Sequence, residues 1–281
     1  MNNDRTHDCG TLSDSHIGET VTLCGWVHTR RDHGGLIFVD LWDKYGMTQV
    51  VLNPQIDQLA HEHAQSIRGN FVISVTGKVR ARPDDMVNTK LKTGKIEVYV
   101  DELHILNPSE TPPISPWEPQ DTSEVLRLKY RFLDLRGPVL QRNLKTRYDI
   151  TRVTRNELHR NGFMEIETPV LTKSTPEGAR DYLVPSRLNP QKFYALPQSP
   201  QLFKQILMVS GMDRYFQIVK CFRDEDLRFD RQPEFTQIDI EMSFGSEKFI
   251  FQMLEEMMAE IYKEILDVKI DTPFPVLKYQ D

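Results

Sequence analysis

Three arginines and two carboxylates lie within one short segment of the sequence: Arg223, Arg228, Arg231, Asp239 and Glu241. Guanidinium groups bind phosphate oxygens through paired hydrogen bonds, whereas two neighbouring carboxylates bind an ammonium group or a cation. The segment therefore contains the side chains needed to hold a phosphate beside an amine. A salt-bridged surface loop has the same composition, because charged loops are commonly solvated, and it remains the alternative.

Two apolar patterns flank these charges and predict the strands that must position them. Residues 214–221 carry several apolar side chains, and in residues 235–241 apolar side chains are interleaved with polar ones. This spacing is typical of a strand with one solvent-facing side. Two antiparallel strands joined by the charged loop would place Asp239 and Glu241 beside the arginines.

The amino-acid sequence of this segment resembles a motif of a known family. Phe-Arg-Asp-Glu at 222–225 and Arg-Gln-Pro-Glu-Phe-Thr-Gln-Ile-Asp at 231–239 resemble motif 2 of the class II aminoacyl-tRNA synthetases, in its bacterial aspartyl form. The resemblance implies that Arg223 contacts both the α-phosphate of ATP and the attacking carboxylate, where a fixed guanidinium lowers their repulsion and stabilises charge on phosphorus. It also implies that the nucleotide is bound by Arg223, Asp224, Glu225, Gln232 and Phe235, with the Phe235 ring stacked on adenine.

A small polar segment upstream, Ser-Thr-Pro-Glu-Gly-Ala-Arg-Asp at 174–181, is typical of a mobile loop with a carboxylate at its centre. In the enzymes it resembles, such a loop closes over the amino acid. The resemblance implies that Glu177 then faces the α-ammonium group. An ordinary surface turn is the alternative.

The next polar segment, Gln-Ser-Pro-Gln-Leu-Phe-Lys at 198–204, predicts a helix start with Ser199 as cap and Pro200 in the first position. Gln201 and Lys204 are three residues apart, so they share a helix face. A solvent-exposed lysine is the ordinary alternative.

Lys204 is the residue that most favours aspartate, because asparagine and lysine have no side-chain carboxylate for an ammonium group to pair with. The resemblance implies that Asp239 joins Glu177 and Ser199 at the α-ammonium group. The full set implied for L-aspartate is Glu177, Ser199, Gln201, Lys204, Arg223 and Asp239.

The first hundred residues predict a small barrel. The apolar patterns indicate strands at 21–31, 35–42 and 47–52, a helix at 55–67, and strands at 71–82 and 95–106. Three strands, a helix and two strands is the order of an OB-fold, whose surface binds oligonucleotides.

Three side chains on the second and third strands suit an RNA base: Phe38 for stacking, Arg31 for charge and Gln49 for a base edge. Burial of Phe38 in the barrel core is the alternative. Residues 24–41 (Cys-Gly-Trp-Val-His-Thr-Arg-Arg-Asp-His-Gly-Gly-Leu-Ile-Phe-Val-Asp-Leu) resemble the anticodon-binding domain of aspartyl-tRNA synthetases. That resemblance implies anticodon contacts by Arg31, Phe38, Gln49 and Glu97. It also implies that His33 marks the group that charges both the aspartate and the asparagine tRNA.

Five prolines between residues 107 and 121 predict a stiff connector, because proline interrupts regular structure. We therefore expect an OB-fold anticodon-binding domain at 1–106 and a proline-rich linker and hinge at 107–137. A class II catalytic domain, in its N-terminal part with motifs 1 and 2, is expected at 138–281. The fold class is α+β, a β-barrel followed by a partial domain built on an antiparallel sheet.

Residues 163–171 resemble motif 1, a helix followed by a strand ending at Pro169 that forms the dimer interface in the family. Phe163, Ile166 and Val170 would make an apolar strand that pairs across a two-fold axis. The resemblance implies a homodimer. A buried edge strand within one subunit is the alternative.

Composition fits a globular protein: of 281 residues, 39% are hydrophobic and 27% charged. No apolar run is long enough to cross a membrane, and the N-terminus lacks the apolar core of a signal peptide. The three cysteines have no metal-ligand spacing and are expected to be reduced thiols of a cytoplasmic protein. The net charge of −6 does not by itself indicate a nucleic-acid partner, although basic residues are frequent in the first hundred positions.

These patterns favour an aspartate–tRNA ligase that uses ATP and Mg²⁺ to form aspartyl-adenylate and charges the aspartate tRNA, with the asparagine tRNA as a second acceptor. We find no glycine-rich stretch resembling motif 3. We therefore expect an incomplete catalytic domain that is inactive alone, with metal ligands beyond residue 281. An anticodon-binding truncation without catalysis is the first alternative. The others are a sister ligase for asparagine or lysine, and a synthetase-like enzyme that makes a free amino acid.

Overall fold

The computed structural model describes residues 5–117, 121–175 and 177–280. The chain divides into two compact units, Met1–Arg142 and Asn143–Asp281. Pro119 of the expected linker and Pro176 of the expected loop lie outside the described residues. The domain limits expected at residues 106 and 137 stay predictions. None of the described helices combines the length and the apolar character needed to cross a membrane.

The first unit is built on a closed five-stranded barrel, with strands in the order β1-β2-β3-β5-β4. Its elements are β1 (Thr20–His33), β2 (Leu36–Asp43), β3 (Gly46–Leu52), α1 (Gln58–Ser66), β4 (Val72–Ala81) and β5 (Ile96–Asn107), followed by the short helices α2 (Glu124–Lys129) and α3 (Arg131–Asp134). The sequence prediction of three strands, a helix and two strands is confirmed. Helix α1 begins three residues later than predicted, because Asp57 caps it by accepting a hydrogen bond from the Ala60 amide.

Alternation along the strands fills the barrel interior. Val21, Leu23 and Val27 of β1 are fully buried in one apolar cluster, and alternating apolar residues of the other strands join them. Antiparallel pairs connect β1 to β2 and β4, whereas β3 and β5 are parallel. Residues between the buried positions therefore point to the outside of the barrel.

The second unit contains most of α4 (Pro138–Arg160), then β6 (Met164–Glu165), β7 (Leu183–Pro185), β8 (Phe193–Ala195), α5 (Gln201–Val209), β9 (Arg214–Phe222), β10 (Glu234–Met242) and α6 (Glu247–Leu266). Gly162 ends α4 as predicted, with a φ of 77° that permits a hydrogen bond of 2.9 Å from the Phe163 amide to the Leu158 carbonyl. The main sheet has the strand order β10-β9-β6, and β7 pairs with β8. Leu158, Phe163, Phe216, Met253 and Met257 form the core of this unit.

The motif 1 strand is much shorter than predicted. Only Met164 and Glu165 form β6, which pairs in parallel with β9 inside the unit. The last hydrogen bond to β9 runs from the Ile166 amide to the Phe216 carbonyl at 3.2 Å. Ile166 lies three residues before Pro169, where the strand was predicted to end. Phe163 is buried in the core, whereas Val170 is exposed. Phe163, Ile166 and Val170 therefore do not form the single apolar face that was predicted for this strand.

The close approach of β4 and β5 generates a stability prediction. A Cβ atom added at Gly77 would lie 2.1 Å from the carbonyl oxygen of Tyr99, whereas one at Gly69 would meet nothing nearer than 3.8 Å. We expect Gly77→Ala to lower the free energy of unfolding by about 1–3 kcal/mol, because overpacking shifts the backbone. Urea denaturation followed by tryptophan fluorescence reports this, since all three tryptophans lie in the first unit. Gly69→Ala is the control, and equal stabilities for the two variants would contradict the prediction.

Candidate active site and nucleic-acid face

The predicted antiparallel hairpin is confirmed: β9 and β10 pair from Phe222–Glu234 to Arg214–Met242. The loop between them begins with a backbone hydrogen bond of 2.9 Å from Arg223 to the Pro233 carbonyl. Beside it, the Arg223 guanidinium lies 5.1 Å from the centre of the Phe235 ring. A cation and an aromatic face thus form one wall at the base of the loop.

A cavity of about 460 Å³ opens against this wall. Its lining comprises Arg223, Glu225, Asp226, Leu227, Asp230, Arg231, Gln232, Pro233 and Phe235. The cavity therefore brings together all of the residues predicted to bind the nucleotide except Asp224. That residue lines a neighbouring polar hollow with Gly178–Arg180, and its amide donates to the Arg180 carbonyl at 3.0 Å. The volume falls within the range usual for small-molecule sites.

Lys204 is buried and paired. Its Nζ donates to Asp239 Oδ1 at 2.8 Å and lies 3.2 Å from Glu241 Oε2. Burial by itself would lower the pKa of Lys204, but the hydrogen bond and charge of Asp239, together with Glu241, outweigh burial and raise it. The solvent-exposed alternative is wrong. An ammonium group has three N–H donors, so one remains for a ligand.

The expectation that β10 turns its polar side to water is wrong at its centre. Asp239 is 9% exposed, whereas the neighbouring Ile238 is 41% exposed. Asp239 and Glu241 were predicted to suit an ammonium group, and the ammonium group that they contact is that of Lys204. This contact offsets the cost of burying the Asp239 carboxylate. Asp239 Oδ2 is buried and has no hydrogen-bond partner within the described parts of the chain. Its capacity to accept a hydrogen bond is therefore unused in this arrangement.

The loop at 174–181 contacts the start of α5. Glu177 Oε2 accepts a hydrogen bond of 2.9 Å from Ser199 Oγ, and Glu177 Oε1 accepts one of 3.0 Å from Thr175 Oγ1. Both Glu177 and Ser199 line a small hollow of about 120 Å³ with Leu202 and Phe203. Two residues assigned to the α-ammonium group by resemblance thus lie side by side.

Gln198 anchors this loop, and sequence reasoning missed it. Its buried amide accepts from the Ala179 amide at 3.0 Å and donates to the Ala179 carbonyl at 2.9 Å, and it also contacts Asp181. An amide between Pro197 and Ser199 has no pattern that distinguishes it from a surface residue. Only its burial reveals the role.

The cap of α5 lies one residue later than predicted. Pro200 takes the cap position, and the helix begins at Gln201, whose amide donates to Ser199 Oγ at 3.3 Å. Gln201 is half-buried in the first turn, and Lys204 follows almost one turn later. Ser199 therefore still satisfies a free backbone donor at the helix start.

Burial is the main cause that raises the pKa of the Cys221 thiol to about 11, and the charges of Arg223, Asp239, Glu177 and Lys204 have smaller effects on it. Direct hydrogen bonds connect the separated segments: Ser199 at the start of α5 donates to Glu177, and Lys204 of α5 donates to Asp239 of β10. Three segments that are distant in the sequence are therefore in contact in the second unit.

The described residues contain no group of three or more His, Cys, Asp or Glu side chains placed to hold a metal ion. We derive no step through Mg²⁺.

A polar row crosses the outside of the barrel. Arg31 donates to both carboxylate oxygens of Asp40, at 2.7 and 3.0 Å, and to Gln49 Oε1 at 3.3 Å. Gln49 Nε2 continues the row with a bond of 2.9 Å to Glu97 Oε2. The structure therefore brings Arg31, Gln49 and Glu97 together. Asp40, which sequence reasoning missed, orients the arginine; its alternation with buried Val39 and Leu41 was the available signal.

Phe38 lies outside the barrel core. Its neighbours Ile37 and Val39 are fully buried in the core cluster, whereas Phe38 is half-buried and faces Arg31 across the β1–β2 pair. The His33 ring lies 6.2 Å away, centre to centre. The core alternative for Phe38 is wrong, and the ring is placed on the same surface as the polar row.

Glu97 is nearly buried, and burial raises the pKa of its carboxyl group, with Arg82 as the main opposing influence. Burial in turn lowers the pKa of Arg82, whose Nη2 has no hydrogen-bond partner among residues 5–117, 121–175 and 177–280. The row therefore ends in a charged pair that is held away from water.

Comparison with known proteins follows the same division of the chain. The family model of the tRNA synthetases class II (D, K and N) matches residues 123–281, and that of the OB-fold nucleic acid binding domain matches residues 21–106. The chain is 59% identical over 277 residues to the aspartate–tRNA(Asp/Asn) ligase of Desulfotalea psychrophila, covering 99% of this chain and 46% of that protein. It is 57% identical to the similarly named ligase of Desulfatibacillum aliphaticivorans, with the same coverage.

Solved structures share the fold. The asparaginyl-tRNA synthetase from Pyrococcus horikoshii complexed with asparaginyl-adenylate superposes with a TM-score of 0.80 at 24% identity, covering 94% of this chain and 59% of that one. The chain thus spans about half the length of the curated relatives that it matches.

The ion pair at the centre of the site generates a prediction. Asp239→Asn leaves Lys204 buried with Glu241 as its charged partner. We expect it to lower the free energy of unfolding by about 1–3 kcal/mol, less than the roughly 3–5 kcal/mol for a buried charge left fully unpaired. Urea denaturation followed by far-ultraviolet circular dichroism measures this. Glu241→Gln is the matched control; it should lose less, since Glu241 makes the longer contact and is more exposed. Equal losses would show that Asp239 is not the dominant partner.

Proposed function

The chain belongs to the class II tRNA synthetases (D, K and N), and from this membership we propose that it is the N-terminal part of an aspartate–tRNA ligase. The whole protein would activate L-aspartate with ATP and transfer the aspartyl group to tRNA. One observation carries the choice of amino acid: the buried Lys204 ammonium retains a third N–H beside an unpaired oxygen of Asp239. That arrangement suits a ligand with a carboxylate and an amine close together.

We propose that Lys204 binds the side-chain carboxylate of aspartate and that Asp239 Oδ2 accepts from the α-ammonium group, with Glu177 and Ser199 beside it and Gln201 orienting the substrate. Asparagine would present to Lys204 a neutral amide, whose carbonyl oxygen accepts a hydrogen bond without the negative charge that a carboxylate would pair with the ammonium. Lysine would bring a second cation to the same place. Aspartate is therefore the favoured member of the D, K and N group.

The nucleotide would bind in the cavity at the base of the β9–β10 loop. Arg223 would contact the α-phosphate while the Phe235 ring stacks on adenine, with Asp224, Glu225 and Gln232 around the nucleotide. An oxygen of the aspartate α-carboxylate attacks the α-phosphorus, aspartyl-adenylate forms and pyrophosphate leaves. No general base is required, because the carboxylate is already ionised. A tRNA hydroxyl then attacks the adenylate carbonyl and AMP leaves. Mg²⁺ stays a prediction of the resemblance.

The acceptor would be the aspartate tRNA, with its anticodon on the barrel face formed by Arg31, Phe38, Gln49 and Glu97. The asparagine tRNA is proposed as a second acceptor, supported by His33 beside Phe38 and by the names of the relatives. A cytoplasmic homodimer completes the proposal. Its interface would use the motif 1 segment, where Met164, Val170 and Leu171 expose apolar surface.

A second candidate function is anticodon binding without catalysis. It is favoured by the barrel face, where the predicted RNA-contacting residues lie together within this chain. The two candidates make different demands on ATP, because only the ligase depends on it.

Replacing Lys204 tests the ligase. The test uses a protein that joins this chain to the remaining length of its relatives. In it, Lys204→Leu should cost about 2–5 kcal/mol of transition-state stabilisation, because the substrate carboxylate is left unpaired. This lowers kcat/KM for aspartate by roughly 30-fold to several-thousand-fold. Aspartate-dependent pyrophosphate exchange measures it. Lys220→Leu is the matched control, since Lys220 is exposed on β9 and pairs with Glu234 at the surface. Normal activity of Lys204→Leu would refute the choice of aspartate.

Replacing Phe38 tests the RNA face. Phe38→Ala should weaken binding of an RNA hairpin with the aspartate anticodon loop by about 1–3 kcal/mol, the usual contribution of one stacked base. Fluorescence anisotropy with the 281-residue chain measures the affinity. Adenylate formation by the longer protein should not change. Unaltered hairpin binding would exclude Phe38 from the interface.

A further inference from the structure

An arginine and a tyrosine outside the polar row form a second aromatic surface on the barrel. The Cζ atom of Arg80, on β4, lies 4.2 Å from the centre of the Tyr99 ring, on β5. Val79 and Val98, their neighbours in sequence, are fully buried in the core, so alternation places Arg80 and Tyr99 outside. Tyr99 is half-buried and Arg80 is exposed, so the guanidinium lies over the ring and the arginine remains accessible to solvent.

This pair lies on the same face as Phe38. Strand registers connect Phe38 to Val51, Val51 to Tyr99, and Tyr99 to Lys78, in one line across β2, β3, β5 and β4. Neighbouring strands are about 4.8 Å apart, so Tyr99 lies roughly 10 Å from Phe38 across the sheet. Val51, between them in this line, is fully buried, so each base would lie on its own aromatic side chain rather than on the sheet between them.

Tyr99 is also connected to the polar row. Glu97 lies two residues earlier on the same strand and the same side. Arg80 is paired in register with Glu97 across β4 and β5. A nucleotide that reaches Glu97 would therefore lie next to the Arg80–Tyr99 surface.

We propose that the Arg80–Tyr99 stack is a second base-binding site, which takes an unpaired RNA base on the open face of the guanidinium, beside the base at Phe38. The proposal rests on the proposed RNA-binding function. Guanidinium planes and aromatic rings both stack on bases, and a guanidinium held over a ring is oriented before the base arrives. Stacking tolerates any base, so this site adds affinity and fixes the path of the strand. Lys78, exposed and adjacent in register, supplies charge for a backbone phosphate.

The experiment measures the affinity of the 281-residue chain for a fluorescein-labelled RNA hairpin with the aspartate anticodon loop. Tyr99→Leu and Arg80→Lys should each raise Kd, by roughly fivefold to a hundredfold for the loss of one stacked base. Tyr99→Phe should bind like the unsubstituted chain. Tyr45→Leu is the matched control, because Tyr45 also lies beside a cation, Lys44 at 5.4 Å, but in the turn between β2 and β3.

Salt dependence separates stacking from charge. Tyr99→Leu and Arg80→Lys should leave the slope of log Kd against log salt unchanged, because they retain the charge. Lys78→Gln should reduce it by about 0.7, the value for one phosphate contact on a single strand.

A spectroscopic readout locates the two bases. With 2-aminopurine placed in turn at each loop position, binding of the unsubstituted chain should change the fluorescence at the two positions whose bases leave the loop stack. Tyr99→Leu should abolish this change at one of them and Phe38→Ala at the other. A purely structural role for Tyr99 would not produce this separation.

Each outcome has a defined meaning. If Tyr99→Leu and Arg80→Lys bind like the unsubstituted chain while Phe38→Ala weakens binding, the second site is wrong and the proposed function stands. If the unsubstituted chain does not bind the hairpin, both are wrong. Arg80 is exposed, so we expect Arg80→Lys to fold normally. This variant therefore tests the second base-binding site even if Tyr99→Leu unfolds the barrel.

Discussion

The second unit depends on one buried ion pair, Lys204 with Asp239 and Glu241. A charge held away from water costs several kcal/mol unless a partner offsets it, so the lysine on α5 and the carboxylates on β10 must face each other. This requirement constrains the register of the hairpin. A slip of one residue would replace Asp239 by Ile238 on the inner face and leave Lys204 buried without its partner. The ion pair that organises the proposed substrate site therefore also specifies how its strands pair.

The pair is incomplete, which makes it suitable for binding. Lys204 retains one donor and Asp239 one acceptor, and both are held in place before any ligand arrives. A preorganised donor and acceptor select a ligand by charge and geometry, because a wrong group leaves them unpaired. Gln198 extends this principle to the loop that carries Glu177, since its amide is bonded to the loop backbone on both sides.

The surface of the barrel also carries polar side chains that are already hydrogen-bonded to one another. Arg31, Gln49 and Glu97 are bonded to one another, so an RNA base must exchange these bonds for its own and a base with the wrong edge loses them. Aromatic rings do not discriminate in this way. Phe38 and the Arg80–Tyr99 stack lie beside the polar row, and on our proposal they supply affinity while the row supplies selectivity.

Local patterns in the sequence determined the barrel order, the β9–β10 hairpin and the end of α4 at Gly162, because apolar spacing and glycine conformation act over a few residues. They also drew attention to Lys204 and Arg223 through residue type. Only the tertiary structure decided that Lys204 is buried against Asp239 and Glu241, that β6 is limited to two residues, and that Gln198 anchors a loop. The physical reason is that burial and ion pairing arise between segments far apart in the chain, and no local pattern records which charge will meet which.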